Sequence, residues 1–493
     1  MILDQKIIDR YDLDVGLEVH VQLKTKSKIF SSDVAIYGDD PNQNIGFVTL
    51  AHPGALPKLN KEVIGYAIKM GFACHCEIST DFIFDRKNYF YPDLPKGYQL
   101  TQDRTPICVH GYVPVKTLSG GERDIHLFKI HLEEDAGKSI HVPGSDRTQV
   151  DYNRAGTPLI EIVTQPDIHH AEEASAVLTA IRRLVRYLGI SDGNMEEGSM
   201  RCDANISVRK KGSSELGKKV EIKNMNSMRN VARAIEHERK RQIAILEDGE
   251  EVISETRTFI ADRGITRGMR TKEELNDYRY FPEPDLSAVH VSDQWMKQLK
   301  DEMPPLPEEL FRLFTESYKL PEYNAAVLID DPGMAIYAKA VFEQTKNHKS
   351  ASNWLMGPVK SYLNDRSMQI ADFPLRPDAL VALVDLVETK VISHTAASQQ
   401  VFPELLKQPE AHPKEVAEAL GVLTEDGDEE SLGPIIASVI NEWPDKVKAY
   451  QKGKKGLIGF FMGEMMKKTQ GKIDPKSANA ILREALDTVE VGK

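Results

Sequence analysis

The sequence predicts an α+β protein whose strands come first and whose helices follow. Three observations carry that expectation. Period-two alternation of apolar and polar residues recurs in several runs before residue 224, helical-period stripes occupy residues 171–188 and 228–246, and after Pro284 the texture changes to helices with short proline breaks. At 493 residues the chain is too long for one core, and its length suggests roughly three domains. No apolar run approaches the ~20 residues that a membrane helix needs, and the start has neither a signal peptide's apolar core nor the look of an arginine-rich transit segment. A cytoplasmic protein with no membrane contact is expected. The four cysteines are sparse, and Cys74 and Cys76 read as free thiols rather than a metal pair. A net charge of −12 argues against a uniformly basic nucleic-acid coat while leaving local patches open.

Taken in order, residues 16–24 alternate Leu17, Val19, Val21 and Leu23 with Glu18, His20, Gln22 and Lys24, so Glu18 and His20 share a face. In the run from Ile125, Phe128, Ile130 and Leu132 are expected to pack, with Lys129, His131 and Glu133 opposite them. The Gly137-Lys138-Ser139 that follows resembles half of a phosphate loop, but Leu132 stands where such a loop needs glycine. Lys138 is left as a single cation available to phosphate. Residues 159–163 set Glu161 against Ile160 and Ile162. Residues 201–209 carry Arg201, Asp203, Asn205, Ser207 and Arg209 on one side, and the next strand sets Glu221 and Lys223 against Val220 and Ile222. A solvated sheet face is the plainer reading of any one strand. Repeated Glu-x-His, His-x-Glu and Arg-x-Asp-x-Asn patterns favour a polar cleft in which Glu18, His20, Glu133 and Glu161 hold a divalent metal. Magnesium prefers oxygen, so the histidine favours manganese, a water-mediated contact or an outer position.

The loop at residues 84–99 is dense in aromatics, cations and prolines. Pro92 and Pro95 stiffen it, and Lys87 and Lys96 are donor-only groups suited to phosphate, carboxylate or ammonium chemistry. Residues 277–285 have the same character. The helix at 171–188 shows a core stripe, and the one at 228–246 a solvated charged face. Further on, Trp354 is expected in a core. From residue 446 to 476 nine lysines face only Glu464 and Asp474, interleaved with Tyr450, Phe460 and Phe461.

Seven stretches in order resemble one family: Gly-Leu-Glu-Val-His from residue 16, His-Pro-Gly-Ala-Leu-Pro from 52, Asp-Arg-Lys-Asn-Tyr-Phe-Tyr-Pro-Asp-Leu-Pro-Lys-Gly-Tyr-Gln from 85, His-Leu-Glu-Glu-Asp-Ala-Gly-Lys-Ser from 131, Arg-Ala-Gly-Thr-Pro-Leu-Ile-Glu-Ile-Val from 154, Glu-Glu-Gly-Ser-Met-Arg-Cys-Asp-Ala-Asn from 196 and Asp-Tyr-Arg-Tyr-Phe-Pro-Glu-Pro-Asp from 277. The family is the B subunit (GatB) of the tRNA-dependent amidotransferases that make Asn-tRNA and Gln-tRNA from misacylated precursors, and the resemblance covers essentially the whole chain.

The resemblance implies an antiparallel-sheet cradle domain over residues 1–294, an all-helical middle domain over 295–410 and a helical tRNA-binding tail over 411–493. In the cradle, ATP would phosphorylate the Asp or Glu side chain on tRNA and ammonia would displace the phosphate. Glu18, His20, Glu133 and Glu161 match the metal-site positions, for Mg2+ with Mn2+ as the alternative. Lys87, Lys96 and Asp203 match polar groups along the ammonia route. Lys138 and Arg201 are the candidate nucleotide contacts, and Lys452, Lys454, Lys455, Lys467, Lys468 and Lys472 the candidate tRNA contacts. Ser31, Asp33, Gly46 and Thr49 stand where many members carry zinc-binding cysteines, so no structural zinc is expected. Gln165 replaces a common glutamate of the family.

The chain shows no nucleophile constellation for releasing ammonia from glutamine. The resemblance supplies the missing partners: an amidase-type A subunit and a small C subunit, with misacylated Asp-tRNA(Asn) or Glu-tRNA(Gln) as substrate. Two rival readings are a stand-alone ATP-dependent carboxylate–amine ligase and a non-catalytic tRNA-binding scaffold. The lysine-rich tail counts against the first, and clustered carboxylates against the second.

Overall fold

The alternation at residues 16–24 belongs to a longer strand, β1 (Tyr11–Gln22), in the middle of a ten-stranded sheet. The fold is that of a computed structural model described over residues 4–116, 120–142, 144–271, 278–424, 429–469 and 475–489. The other strands of the sheet are β2 (Glu77–Ile78), β3 (Cys108–Val109), β4 (Tyr112–Lys116), β5 (Glu122–Glu134), β6 (Pro158–Thr164), β7 (Met200–Lys210), β8 (Val220–Lys223), β9 (Glu255–Ile260) and β10 (Ile265–Thr271). Their order is β10-β9-β8-β7-β1-β6-β5-β3-β2, with β4 paired to β5. The expectation of an antiparallel sheet needs correction, because β8 and β9 run parallel. The helix Met228–Glu247 lies between them in sequence and carries the chain back to start β9 in the same direction as β8, the crossover that a parallel pair requires.

One sheet face is apolar and closed. Val15, Leu17, Val19 and Val21 of β1, Ile160 and Ile162 of β6, and Cys202, Ala204 and Ile206 of β7 are buried there. Helices Lys61–Ala73, Ala171–Tyr187 and Met228–Glu247 share that core. The second helix buries Ala174, Val177, Leu178, Ile181 and Val185 at helical spacing. Its start is held by Glu173, whose carboxylate accepts from the N–H groups of His169 (2.8 Å) and His170 (3.2 Å). Asn60 and Ser227 cap the other two in the usual way.

A second correction concerns Phe128, which is 55% exposed rather than packed. The β5 register against β6 shifts where Val163 pairs with Lys129 but Thr164 with Leu127. This bulge re-phases the strand, so that Ile125 and Leu127 point inward before it and Ile130 and Leu132 after it.

The chain clusters into two units, Met1–Leu306 and Pro307–Lys493. Helix Asp293–Asp301 belongs to the first, with Leu299 in its core and Trp295 packed against it. In the second unit the described elements are all helical. Trp354 is 2% exposed and lies against the rings of His394 and Phe402. Helix Pro413–Ala419 packs on Pro377–Glu388. The helices from Glu429 onward surround a core of their own that includes Leu432, Val439, Phe461, Met465 and Leu482. Among the described residues no helix is long and apolar enough to cross a membrane. The cysteines are free, with Cys74 buried and Cys76 partly so; burial pushes the Cys76 thiol up to about 12.

Lys28 is fully buried, and its ammonium donates to the carbonyl of Asn44 (2.7 Å). Burial pulls it down from 10.5 to about 8, against the opposing charges of Asp33, Glu134 and Asp151. The unfolded chain therefore binds more protons between these values. Stability is expected to rise with pH across that window, with a cost of roughly 3 kcal/mol present below it. Lys28→Met should flatten the slope. Urea midpoints at about pH 7 and about pH 10 check this, and equal slopes in both proteins would contradict it.

Candidate active site

The polar residues of four neighbouring strands meet on the open side of the sheet because their registers align them. His20 of β1 sits opposite Glu161 of β6 and Arg201 of β7, Glu18 sits opposite Asp203, and Glu161 in turn sits opposite His131 of β5. Directly opposite residues on antiparallel strands share a face, so each pairing delivers its side chains to one surface.

Two acidic groupings result. In the first, the imidazole Nε2 of His20 is 3.2 Å from Glu161 Oε2 and 3.4 Å from Glu133 Oε1. The His131 Nε2 approaches the same Glu161 oxygen at 3.3 Å. Potential ligand atoms of His20, Glu133 and Glu161 all lie within 4.8 Å of one another. In the second grouping, potential ligand atoms of Glu18, Asp203 and Glu221 also lie within 4.8 Å of one another. Lys223 already occupies it, with its ammonium 2.5 Å from Asp203 Oδ2 and 2.9 Å from Glu221 Oε1. Asn205 donates to Glu18 at 2.7 Å. The four residues expected to form one metal set thus divide: His20, Glu133 and Glu161 come together, and Glu18 joins Asp203.

The electrostatics fit these groupings. Burial by itself would depress the His20 imidazolium, but Glu161 and Glu133 outweigh it and raise it to about 9. Burial alone would raise Glu161, and His131 and His20 instead hold it well below the usual carboxylate range. Glu18 is raised by burial and by the charge of Glu161. The imidazole and two carboxylates fit a dication that accepts both nitrogen and oxygen ligands, with the remaining positions left to water or substrate.

Cations rim the same face. Burial would lower Lys87, but Glu133 and Glu161 raise it, and its ammonium lies 5.0 Å from the centroid of Tyr278. Lys96 pairs with Glu134, and its ammonium lies 5.3 Å from the centroid of Tyr98. Arg201 is held by Asp135 (2.7 Å), which Arg154 and Gln22 also contact. Lys138 is exposed at the head of a hairpin strand, Lys138–His141. That strand pairs with Thr148–Asp151 instead of leading into a helix, so Gly137-Lys138-Ser139 is no phosphate loop. His131, Asp135, Glu221 and Lys223 carry site geometry without having been singled out from sequence; the strand alternation marked the faces of His131, Glu221 and Lys223 but not their partners.

Ser31, Asp33, Gly46 and Thr49 also meet, as a hydrogen-bonded knot. The Asp33 carboxylate accepts from the Gly46 N–H (2.9 Å) and from the Thr49 hydroxyl, and Ser31 Oγ accepts from the Asp33 N–H (3.3 Å). A Cβ on Gly46 would lie 2.3 Å from Asp33 Oδ1. Gly46→Ala is therefore expected to destabilise the protein by about 1–3 kcal/mol, read as a lower denaturant midpoint. An unchanged midpoint would show that the knot yields without cost.

In the second unit the lysine run is less free than its composition suggests. Lys455 pairs with Asp487 (2.6 Å), Lys467 with Glu464 (2.6 Å) and Lys468 with Glu442. Lys446 lies 4.5 Å from the Trp443 ring centroid. Lys452 and Lys454 are exposed, and Lys472 lies outside the described residues.

Comparison with known proteins settles the lineage. Residues 13–297 match the GatB/GatE catalytic domain, and residues 337–486 match the GatB domain. The chain belongs to the GatB family. Its curated relatives include the B subunit of the aspartyl/glutamyl-tRNA(Asn/Gln) amidotransferase of Chlorobium chlorochromatii, 48% identical over 97% of this chain and 99% of the relative. Proteins of the same name from Synechococcus elongatus (44% identity, 97% and 98% coverage) and Caldicellulosiruptor saccharolyticus (44%, 97% and 100%) align over similar lengths. The whole GatB catalytic match falls within the first unit, the one that carries both acidic groupings.

Proposed function

We propose that this chain is the synthetic subunit of a glutamine-dependent tRNA amidotransferase, with its chemistry at His20, Glu133 and Glu161. The observation that carries this is the convergence of one imidazole and two carboxylates, whose charges act on the half-buried ammonium of Lys87. A side-chain carboxylate of Asp or Glu on misacylated tRNA is a poor acyl donor. Its oxygen attacks the γ-phosphorus of ATP, ADP leaves, and the resulting acyl phosphate accepts ammonia at its carbonyl carbon, releasing phosphate and leaving an amide. Mg2+ or Mn2+ held by His20, Glu133 and Glu161 would neutralise charge on the phosphoryl oxygens during that transfer. Lys87 offers a second, fixed positive charge on the same face, and Glu18 and Asp203 form an acidic neighbour suited to holding ammonium-like groups such as that of Lys223.

Ammonia comes from an amidase-type A subunit, braced by a small C subunit, which accords with relatives that are each one component of a multi-subunit amidotransferase. We place the work in the cytoplasm, where tRNA is charged. We further infer a cradle carrying the chemistry, a helical middle body, and a tail from Glu429 that grips tRNA through lysine–phosphate contacts. The test is reconstitution with ATP, Mg2+, glutamine, misacylated tRNA and the A and C subunits, with amidated aminoacyl-tRNA as the readout. A complex that binds tRNA and forms no amide would refute the catalytic reading.

A further inference from the structure

Four tyrosines form a continuous row in the first unit. Tyr91 meets Tyr89 with ring centroids 6.0 Å apart, Tyr89 meets Tyr278 at 5.9 Å, and Tyr278 meets Tyr280 at 6.0 Å, each pair edge to face at 68–69°. Segments almost two hundred residues apart supply the row, and Asn88 stitches them. Its backbone N–H donates to the Tyr278 carbonyl (2.9 Å), and its side-chain amide donates to the carbonyls of Tyr278 (3.2 Å) and Arg279 (2.9 Å). Arg279 is held at φ 45°, a left-handed conformation unfavourable for a residue with a side chain. The row thus rests on a strained turn fixed by a dedicated clamp.

Core packing does not account for it. Tyr91 is 51% exposed and Tyr280 39%, so both ends open to water. The middle is tied to the acidic grouping, because the Lys87 ammonium lies 5.0 Å from the Tyr278 centroid and 5.8 Å from that of Tyr89 while the charges of Glu133 and Glu161 act on it. Aromatic rings interleaved with a cation, open at the edge of a polar site, are the arrangement on which proteins stack unpaired nucleobases. The reaction assigned above, on which this inference rests, brings in two adenines. One belongs to ATP, the other to the terminal adenosine whose ribose bears the aminoacyl ester. Each is joined through its ribose to a reacting group.

We propose that the tyrosine row is an adenine-binding platform that holds the base while its ribose arm carries the reacting group toward His20, Glu133 and Glu161. The assembled amidotransferase tests this with Tyr91→Leu and Tyr280→Leu set against Tyr91→Phe and Tyr280→Phe. The leucine variants should raise one KM by roughly tenfold with kcat at saturation little changed, and the phenylalanine variants should restore it. A rise for ATP assigns the nucleotide's base; a rise for misacylated tRNA assigns the terminal adenosine. Equilibrium dialysis of ATP and of tRNA reads binding directly, so the platform is tested even where no amide forms. That separates its failure from failure of the functional reading, which a wild-type complex inactive in amidation would reveal. Unchanged affinity for both ligands in the leucine variants overturns the proposal, as does equal loss in the phenylalanine variants. Dissociation of the complex on gel filtration would make the row an interface with another chain and overturns it too.

Discussion

Glu161→Gln is expected to lower amidation by the assembled enzyme at least about a hundredfold while leaving tRNA affinity unchanged. The reason is the position of one oxygen. Glu161 Oε2 lies 3.2 Å from His20 Nε2 and 3.3 Å from His131 Nε2, so a single carboxylate organises both imidazoles of the first acidic grouping. An amide keeps the volume but removes the charge, and its NH2 group cannot accept from either ring. Both histidines then lose the field that raises them, and a dication loses one of its anionic ligands. Two readouts separate chemistry from damage. Mn2+ affinity, followed by electron paramagnetic resonance, should fall along with amide formation, and the thermal midpoint should stay near that of the parent. Retained amidation, or lost amidation with intact Mn2+ binding, would each remove Glu161 from the metal set. Glu133→Ala, whose parent carboxylate also contacts both histidines, should behave alike.

Truncation after Thr424 is expected to weaken tRNA binding by at least tenfold and to leave ATP turnover by the first unit's site intact. The removed helices have a core of their own, so their loss should not unfold what precedes them. Pairing within the tail refines the expectation. Lys455, Lys467 and Lys468 already hold internal carboxylates, whereas Lys452 and Lys454 are exposed. A cation committed to an internal partner gives up that partner when it takes a phosphate, so its net contribution is smaller. Replacing Lys452 and Lys454 together by Gln should therefore cost more affinity, and flatten the salt dependence more, than replacing Lys467 and Lys468. Filter binding across a salt series measures both. Equal effects would show that the internal pairs open freely, and undiminished binding by the truncated protein would remove the tail from tRNA recognition.

The strand faces of this protein were legible in its sequence because the period of two is a local property. Glu18 and His20, His131 and Glu133, and Arg201, Asp203 and Asn205 could be assigned to polar faces with no knowledge of the partners. The helix at 171 was legible for the same reason, since its apolar stripe is set by neighbours three and four residues away, and the helix at 228 was legible from charged residues at helical spacing. The motifs that resemble the GatB family were equally plain.

Tertiary structure decided which polar residues act together. Glu18 and His20 are neighbours on one face of β1, yet residues two apart along a strand stand ~7 Å from each other, while directly opposite residues on paired strands are ~5 Å apart. Glu18 therefore groups with Asp203 across β7, and His20 with Glu161 across β6. Registers of that kind are fixed by contacts between segments up to two hundred residues apart and leave no local signature. The bulge that exposes Phe128, the parallel β8–β9 pair and the Asn88 clamp that completes the tyrosine row are decisions of the same non-local kind. The sequence determined which side chains could reach the cleft; pairing between distant strands determined which of them meet.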